Sequence, residues 1–166
     1  MESLPEKVNT QSVALAIYNP TPGTKAIDIR RQMLQLPEVA KSLSGVEKYI
    51  FAASTKMQIA DIDDGTLIAK TGQMFRFIAM DVGYIIPTNS EDWAYICTRL
   101  LDILKKYYSQ MTLADIKLAF ELATTGELDD YLPKDSQGNP DKKHYQQFNA
   151  DYFAKILNAY RRKQNG

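Results

Sequence analysis

Between Trp93 and Tyr108 the chain carries its strongest constraint. Trp93, Ile96, Cys97, Leu100, Leu101, Leu104, Tyr107 and Tyr108 recur at steps of three and four. That spacing matches the 3.6-residue turn of an α-helix and lays one continuous apolar stripe along about four turns. A stripe of this kind folds only by burial against other elements, so the sequence around it must supply partners. Asn89-Ser90 stands at its start, where short polar side chains cap helices.

The flanking segments repeat the same period rather than the alternation of strands. Thr24 can cap a segment carrying Ile27, Ile29, Arg30, Met33 and Leu34, and Leu36-Pro37 opens a new turn. Ser44-Gly45-Val46-Glu47 has the form of a capping box, and the helix behind it is expected to turn Val46, Tyr49, Ile50, Ala53 and Met57 to one face. After the break at Asp61 to Gly65, Leu67, Ile68, Thr71, Met74, Phe75, Ile78, Ala79 and Val82 form another stripe, closed by Gly83 and Pro87. Gly72 is expected to loosen its first turn. Thr112 to Asp115 offers a further cap for Leu113, Ile116, Ala119, Phe120 and Ala123, with Gly126 placed to stop that helix. Residues 127–148 read as a polar loop, broken by Pro133, Gly138 and Pro140. Asn149 then caps a last helix with Phe148 and Phe153 as its staple, Ile156, Leu157 and Tyr160 facing inward, and Arg161, Arg162 and Lys163 at its C-terminal dipole.

These segments predict an all-α fold: a compact bundle of about five or six helices over residues 26–166, forming a single helical domain. Residues 1–25 read as an N-terminal arm punctuated by Pro5, Pro20, Pro22 and Gly23, with Val13 to Tyr18 the one stretch apolar enough to dock, as a short helix or an extended strand. A length of 166 residues, 45% apolar and 24% charged, fits that scale and excludes disordered, collagen-like and disulfide-scaffold chains. The apolar runs fall far short of a membrane span, the start Met-Glu-Ser-Leu-Pro-Glu-Lys has no signal-peptide pattern, and Cys97 stands alone. A cytoplasmic protein without membrane contact is expected.

Most chemistries lack their residues. His144 and Cys97 are single and distant, so the usual zinc spacings cannot be met. Cys97 lies on the apolar stripe, where a small core residue is expected. Asp61 to Gly65 starts like an EF-hand loop, but its sixth and twelfth positions hold Thr66 and Gly72. Counting from Asp135 places Pro140 and Gln146 there, so both stretches read as turns or caps. Glu127, Asp129 and Asp130 read as a solvated acidic patch. No glycine-rich phosphate loop occurs. The expectation is a non-enzymatic protein with no cofactor and no metal.

Charge is informative in its distribution. Twenty basic and twenty acidic residues cancel, yet residues 111–135 carry a net charge of −4 and residues 141–166 a net charge of +4. Lys142, Lys143, Lys155, Arg161, Arg162 and Lys163, with His144 and interleaved Tyr145, Tyr152 and Tyr160, make a basic C-terminal end suited to nucleic acid or an acidic partner. The same cations also suit a solvated helix end.

The segment Met111-Thr112-Leu113-Ala114-Asp115-Ile116-Lys117-Leu118-Ala119-Phe120-Glu121, then Gly126-Glu127-Leu128, His144-Tyr145-Gln146-Gln147-Phe148 and Ile156-Leu157-Asn158-Ala159-Tyr160-Arg161, resembles small proteins of gut-bacterial phages and prophages. Over residues 91–162 it is similar to phage replisome organisers and helicase loaders. The resemblance implies a helical accessory protein without catalytic residues, contacting DNA or the replicative helicase in the cytoplasm of a bacterial host. Two other readings stay open: an interaction protein that inhibits a host defence complex, and a self-assembling virion or packaging component.

Overall fold

A computed structural model describes Leu43 and residues 45–166. The arm, the Thr24 segment, the turn at Leu36-Pro37 and Ser44 lie outside the described residues. Among those described there are five α-helices: α1 (Val46–Ser54), α2 (Asp64–Asp81), α3 (Ser90–Tyr107), α4 (Leu113–Thr124) and α5 (Ala150–Asn165), with one 3-10 turn at Ile59–Asp61. Extended pairing among these residues is confined to single bridges, Gln58 with Thr112 and Lys134 with Pro140. The fold is an all-α bundle, as the periodicity predicts.

Local chemistry sets the helix ends. Asp63 accepts the Thr66 N–H at 3.0 Å, and that bond holds its carboxyl below the usual range, so the acidic run before α2 is a cap. Asn89 accepts from Glu91 N–H at 2.8 Å to start α3, and Asn149 accepts from Tyr152 N–H at 3.1 Å to start α5. Thr112 and Asp115 close a reciprocal capping box on α4. At the other ends, Gly83 (φ 76°) and Gly126 (φ 88°) take the left-handed conformation. The N–H of Tyr84 then reaches Ala79 O, and that of Glu127 reaches Leu122 O, the bonds that satisfy a helix's last carbonyls.

Three pairs of contacts give the helix directions. Trp93 at the start of α3 lies 5.9 Å from Phe148, just before α5, while Tyr108 after α3 donates to Asn158 in the second half of α5; the two helices run parallel. Lys105 of α3 meets Asp64 of α2, so α2 is antiparallel to α3. Asp115 at the start of α4 meets Tyr160 late in α5, so those two are antiparallel. One end of the bundle therefore collects the C-terminal turns of α3 and α5.

The core centres on α5 more than on the stripe that the sequence makes most prominent. Tyr152, Phe153, Ile156, Leu157, Ala159 and Tyr160 of α5 are all buried, whereas α3 buries Trp93, Leu100 and Leu104 and leaves Ile96, Cys97 and Leu101 only partly covered. Two other stripes shift. α1 ends at Ser54, so Met57 falls outside it and is exposed; its buried face is Ile50, Phe51, Ala53 and Ser54, with Tyr49 turned to solvent. Ile68 is exposed on the outer side of α2, and that helix runs unbroken through Gly72.

Candidate nucleic-acid and partner interface

The basic residues of the C-terminal quarter divide between the two ends of α5. Lys142, Lys143, His144 and Lys155 belong to the loop before α5 and its second turn. There Lys142 pairs with Asp129 at 3.1 Å, and Lys155, largely covered, pairs with Asp141 at 3.0 Å and donates to the Lys143 carbonyl. The Lys155 ammonium also lies 5.0 Å from the Tyr145 ring. Lys155 holds the loop onto the helix, and Lys142 ties two points of the loop together. The paired carboxylates, Asp129 and Asp141, come from that same loop.

His144 pins the loop to α2. The Gln146 N–H donates to its Nδ1 at 2.9 Å, so Nδ1 carries no proton and Nε2–H is the donor to Val82 O at 3.1 Å. Its ring meets Tyr84 and Tyr152 edge-on, each at 5.8 Å. Between His144 and Gln147 the chain reverses: Gln147 N–H donates to His144 O at 2.8 Å, and Tyr145 (φ 51°) and Gln146 (φ 56°) are both left-handed. This is the mirror-image turn that ordinarily takes Asn-Gly, so the site stores strain in two ordinary residues. Beside it, Asp141, Lys143, Asn149, Asp151 and Lys155 rim a hollow of about 340 Å³. Gln146→Gly is expected to raise the unfolding free energy by about 0.5–1 kcal/mol, because glycine adopts this conformation without a side-chain clash. A denaturation midpoint below that of the parent protein would contradict the assignment.

Arg161, Arg162 and Lys163 sit at the opposite end. Arg161 donates to the Tyr107 carbonyl at 3.3 Å and stacks 5.1 Å from the Tyr108 ring. Arg162 donates to Tyr131 O at 2.9 Å, and Lys163 lies 5.7 Å from the Tyr131 ring. The bond from Arg161 joins the C-terminal part of α5 to the last turn of α3, which carries Lys105 and Lys106. Tyr107, the last residue of α3, is 64% exposed. Lys105, Lys106 and Tyr107 were not legible as site residues: two lysines in a final helical turn read as dipole partners, and Tyr107 reads as one more member of the apolar stripe.

Cys97 is half-covered, and burial pushes its thiol up to about 11, so it is no thiolate nucleophile near neutral pH. Among the described residues, no three His, Cys, Asp or Glu side chains converge as metal ligands, and no helix is long and apolar enough to cross a membrane. No protein-family model, curated protein sequence or solved structure matches the chain.

Proposed function

We propose that this is a non-enzymatic phage replication accessory protein, of the helicase-loader or replisome-organiser kind, that contacts DNA through its basic C-terminal end in the cytoplasm of a bacterial host. The observation that carries the reading is the joining of two cationic helix ends, Lys105 and Lys106 of α3 with Arg161, Arg162 and Lys163 of α5, through the bond from Arg161 to Tyr107 O. The existing partners of these cations do not disqualify them. The pairs of Lys105 with Asp64 and Lys106 with Asp102 are exposed, and such pairs are worth about 0–1 kcal/mol. Each guanidinium keeps further donors beyond the one that it spends on a carbonyl.

Affinity is expected to be modest, because Asp64 and Asp102 stand within the same surface. Replacing Arg161, Arg162 and Lys163 together by Gln should weaken DNA binding at least tenfold at low salt. It should also flatten the dependence of log K on log salt by about two to three counterions. Fluorescence anisotropy of a labelled oligonucleotide across a salt series measures both. A parent protein that binds no DNA even at low salt overturns the reading.

The second reading is a host-protein partner, as for an inhibitor of a defence complex. Phe77, Met80 and Ile85 favour it: each is exposed, toward the C-terminal end of α2 or just beyond it and away from the α3–α5 cations, and Phe77 lines an apolar hollow of about 380 Å³ between α2 and α4. A host protein whose capture is lost on replacing Phe77 and Met80 by Ser, while the cation variant still captures it, would favour this reading over DNA.

A further inference from the structure

We infer that the DNA taken at the α3–α5 end is single-stranded, with Tyr107 as the platform on which a base stacks. The inference rests on the DNA-contact reading above and adds the form of the ligand and the residue that selects it.

Three observations carry it. Tyr107 lies two turns after Leu100, on the side of α3 that faces the core, yet it is 64% exposed, whereas the next residue, Tyr108, is 4% exposed. α3 ends at Tyr107, and Tyr108 leaves the helix with φ −129°, which lets it turn inward beneath Arg161. The Tyr107 ring is thereby left outside as an apolar face that the core does not use. Lys105 and Lys106 precede it in the chain, and Arg161 is bonded to its carbonyl, so the ring lies at a cationic end of the bundle. A planar ring set among cations is the pairing that holds exposed bases: the ring takes the base and the cations take the flanking phosphates.

The same geometry is poorly suited to duplex. Base readout in a duplex uses a helix or ribbon that enters the major groove, whereas here two helices present only their C-terminal turns, with Asp64 paired to Lys105 and Asp102 paired to Lys106. A rigid double row of phosphates would meet those carboxylates. A single strand can bend its backbone toward the lysines and arginines and turn a base onto the ring.

The test measures anisotropy of a labelled oligo-dT strand and of a duplex of equal length at low salt, with the parent protein and with Tyr107→Ala, Tyr107→Phe and Tyr107→Trp. The expected result is tighter binding of the single strand than of the duplex, a loss of about fivefold or more in Tyr107→Ala, and retention in Tyr107→Phe. Tyr107→Trp should bind and show fluorescence quenching on adding oligo-dT; Trp93 is buried at the far end of α3 and supplies a steady background. Because Tyr107 is exposed, thermal melts of all three variants should match the parent, which separates loss of contact from loss of fold. Equal binding of both DNA forms, or a Tyr107→Ala protein that binds like the parent, overturns the inference and leaves the DNA reading standing. Binding of neither form by the parent overturns both.

Discussion

Phe153→Ala is expected to lower the unfolding free energy by about 3–5 kcal/mol, the range for deleting a large buried aromatic ring. Phe153 is fully buried, and its ring lies 4.7 Å from Phe120, 5.0 Å from Phe148 and 5.6 Å from Phe75. One side chain thus ties α5 to α4, to α2 and to the loop that leads into its own cap. Few of these rings can move into the space left behind, because each is already packed on a second ring or on a helix, so the cavity term is kept. Denaturant unfolding measures the loss. A shift no larger than that of Lys143→Ala, on the exposed loop, would show that α5 is not the centre of the core. Leu104→Ala, also fully buried but on the partly covered α3, should fall within about 2–5 kcal/mol.

The part of this fold that could be read from the sequence is the part fixed by local chemistry. Asn89, Thr112 and Asn149 cap the helices that they were expected to cap, and Phe148 and Phe153 meet as a staple, because a cap depends on residues within one turn of each other. Which stripe lies deepest depends on contacts between segments far apart. The stripe of α3 is the longest and most regular, yet α5 is the better buried, because α5 packs against both α3 and α4 while one flank of α3 faces solvent. The same limit applies to the site. Six cations within a short stretch read as one basic surface, but Lys155 and Arg161 are six residues apart on a helix, about 9 Å along its axis. Lys155 turns to Asp141 and Arg161 to Tyr107. The partners of Arg161 lie more than fifty residues earlier, and no spacing within the C-terminal quarter points to Lys105, Lys106 or Tyr107.

Tyr160→Phe should cost about 2–3 kcal/mol although it removes a single oxygen. That hydroxyl, fully buried, donates to Asp115 Oδ1 at 2.7 Å, and a hydrogen bond to a charged group is worth about 1.5–3 kcal/mol. Asp115 is itself 3% exposed and accepts the Thr112 N–H at 3.0 Å, while the Thr112 hydroxyl donates to Ala53 O at 2.8 Å. The capping box of α4 is thus one link in a buried chain from the end of α1 to the end of α5. The same phenol governs stability in alkali. Burial, reinforced by the Asp115 charge, raises the Tyr160 pKa far above its ordinary value, and burial raises that of Tyr152 as well. Above about pH 10 the unfolded chain releases these protons and the folded chain keeps them. Their contribution is therefore intact below pH 10 and declines as pH rises, by about 1.4 kcal/mol per pH unit for each tyrosine. Denaturation midpoints between pH 8 and about pH 11 should begin to fall near pH 9, where the unfolded chain releases the Cys97 proton that burial holds to about 11 in the fold, and should fall more steeply above about pH 10. In Tyr160→Phe the profile should start lower and fall less steeply above about pH 10, since the phenol shifted furthest is gone while Tyr152 and Tyr108 remain. A parent protein whose midpoint stays level to pH 11, or a Tyr160→Phe profile parallel to that of the parent, would show that this phenol is not the buried donor to Asp115.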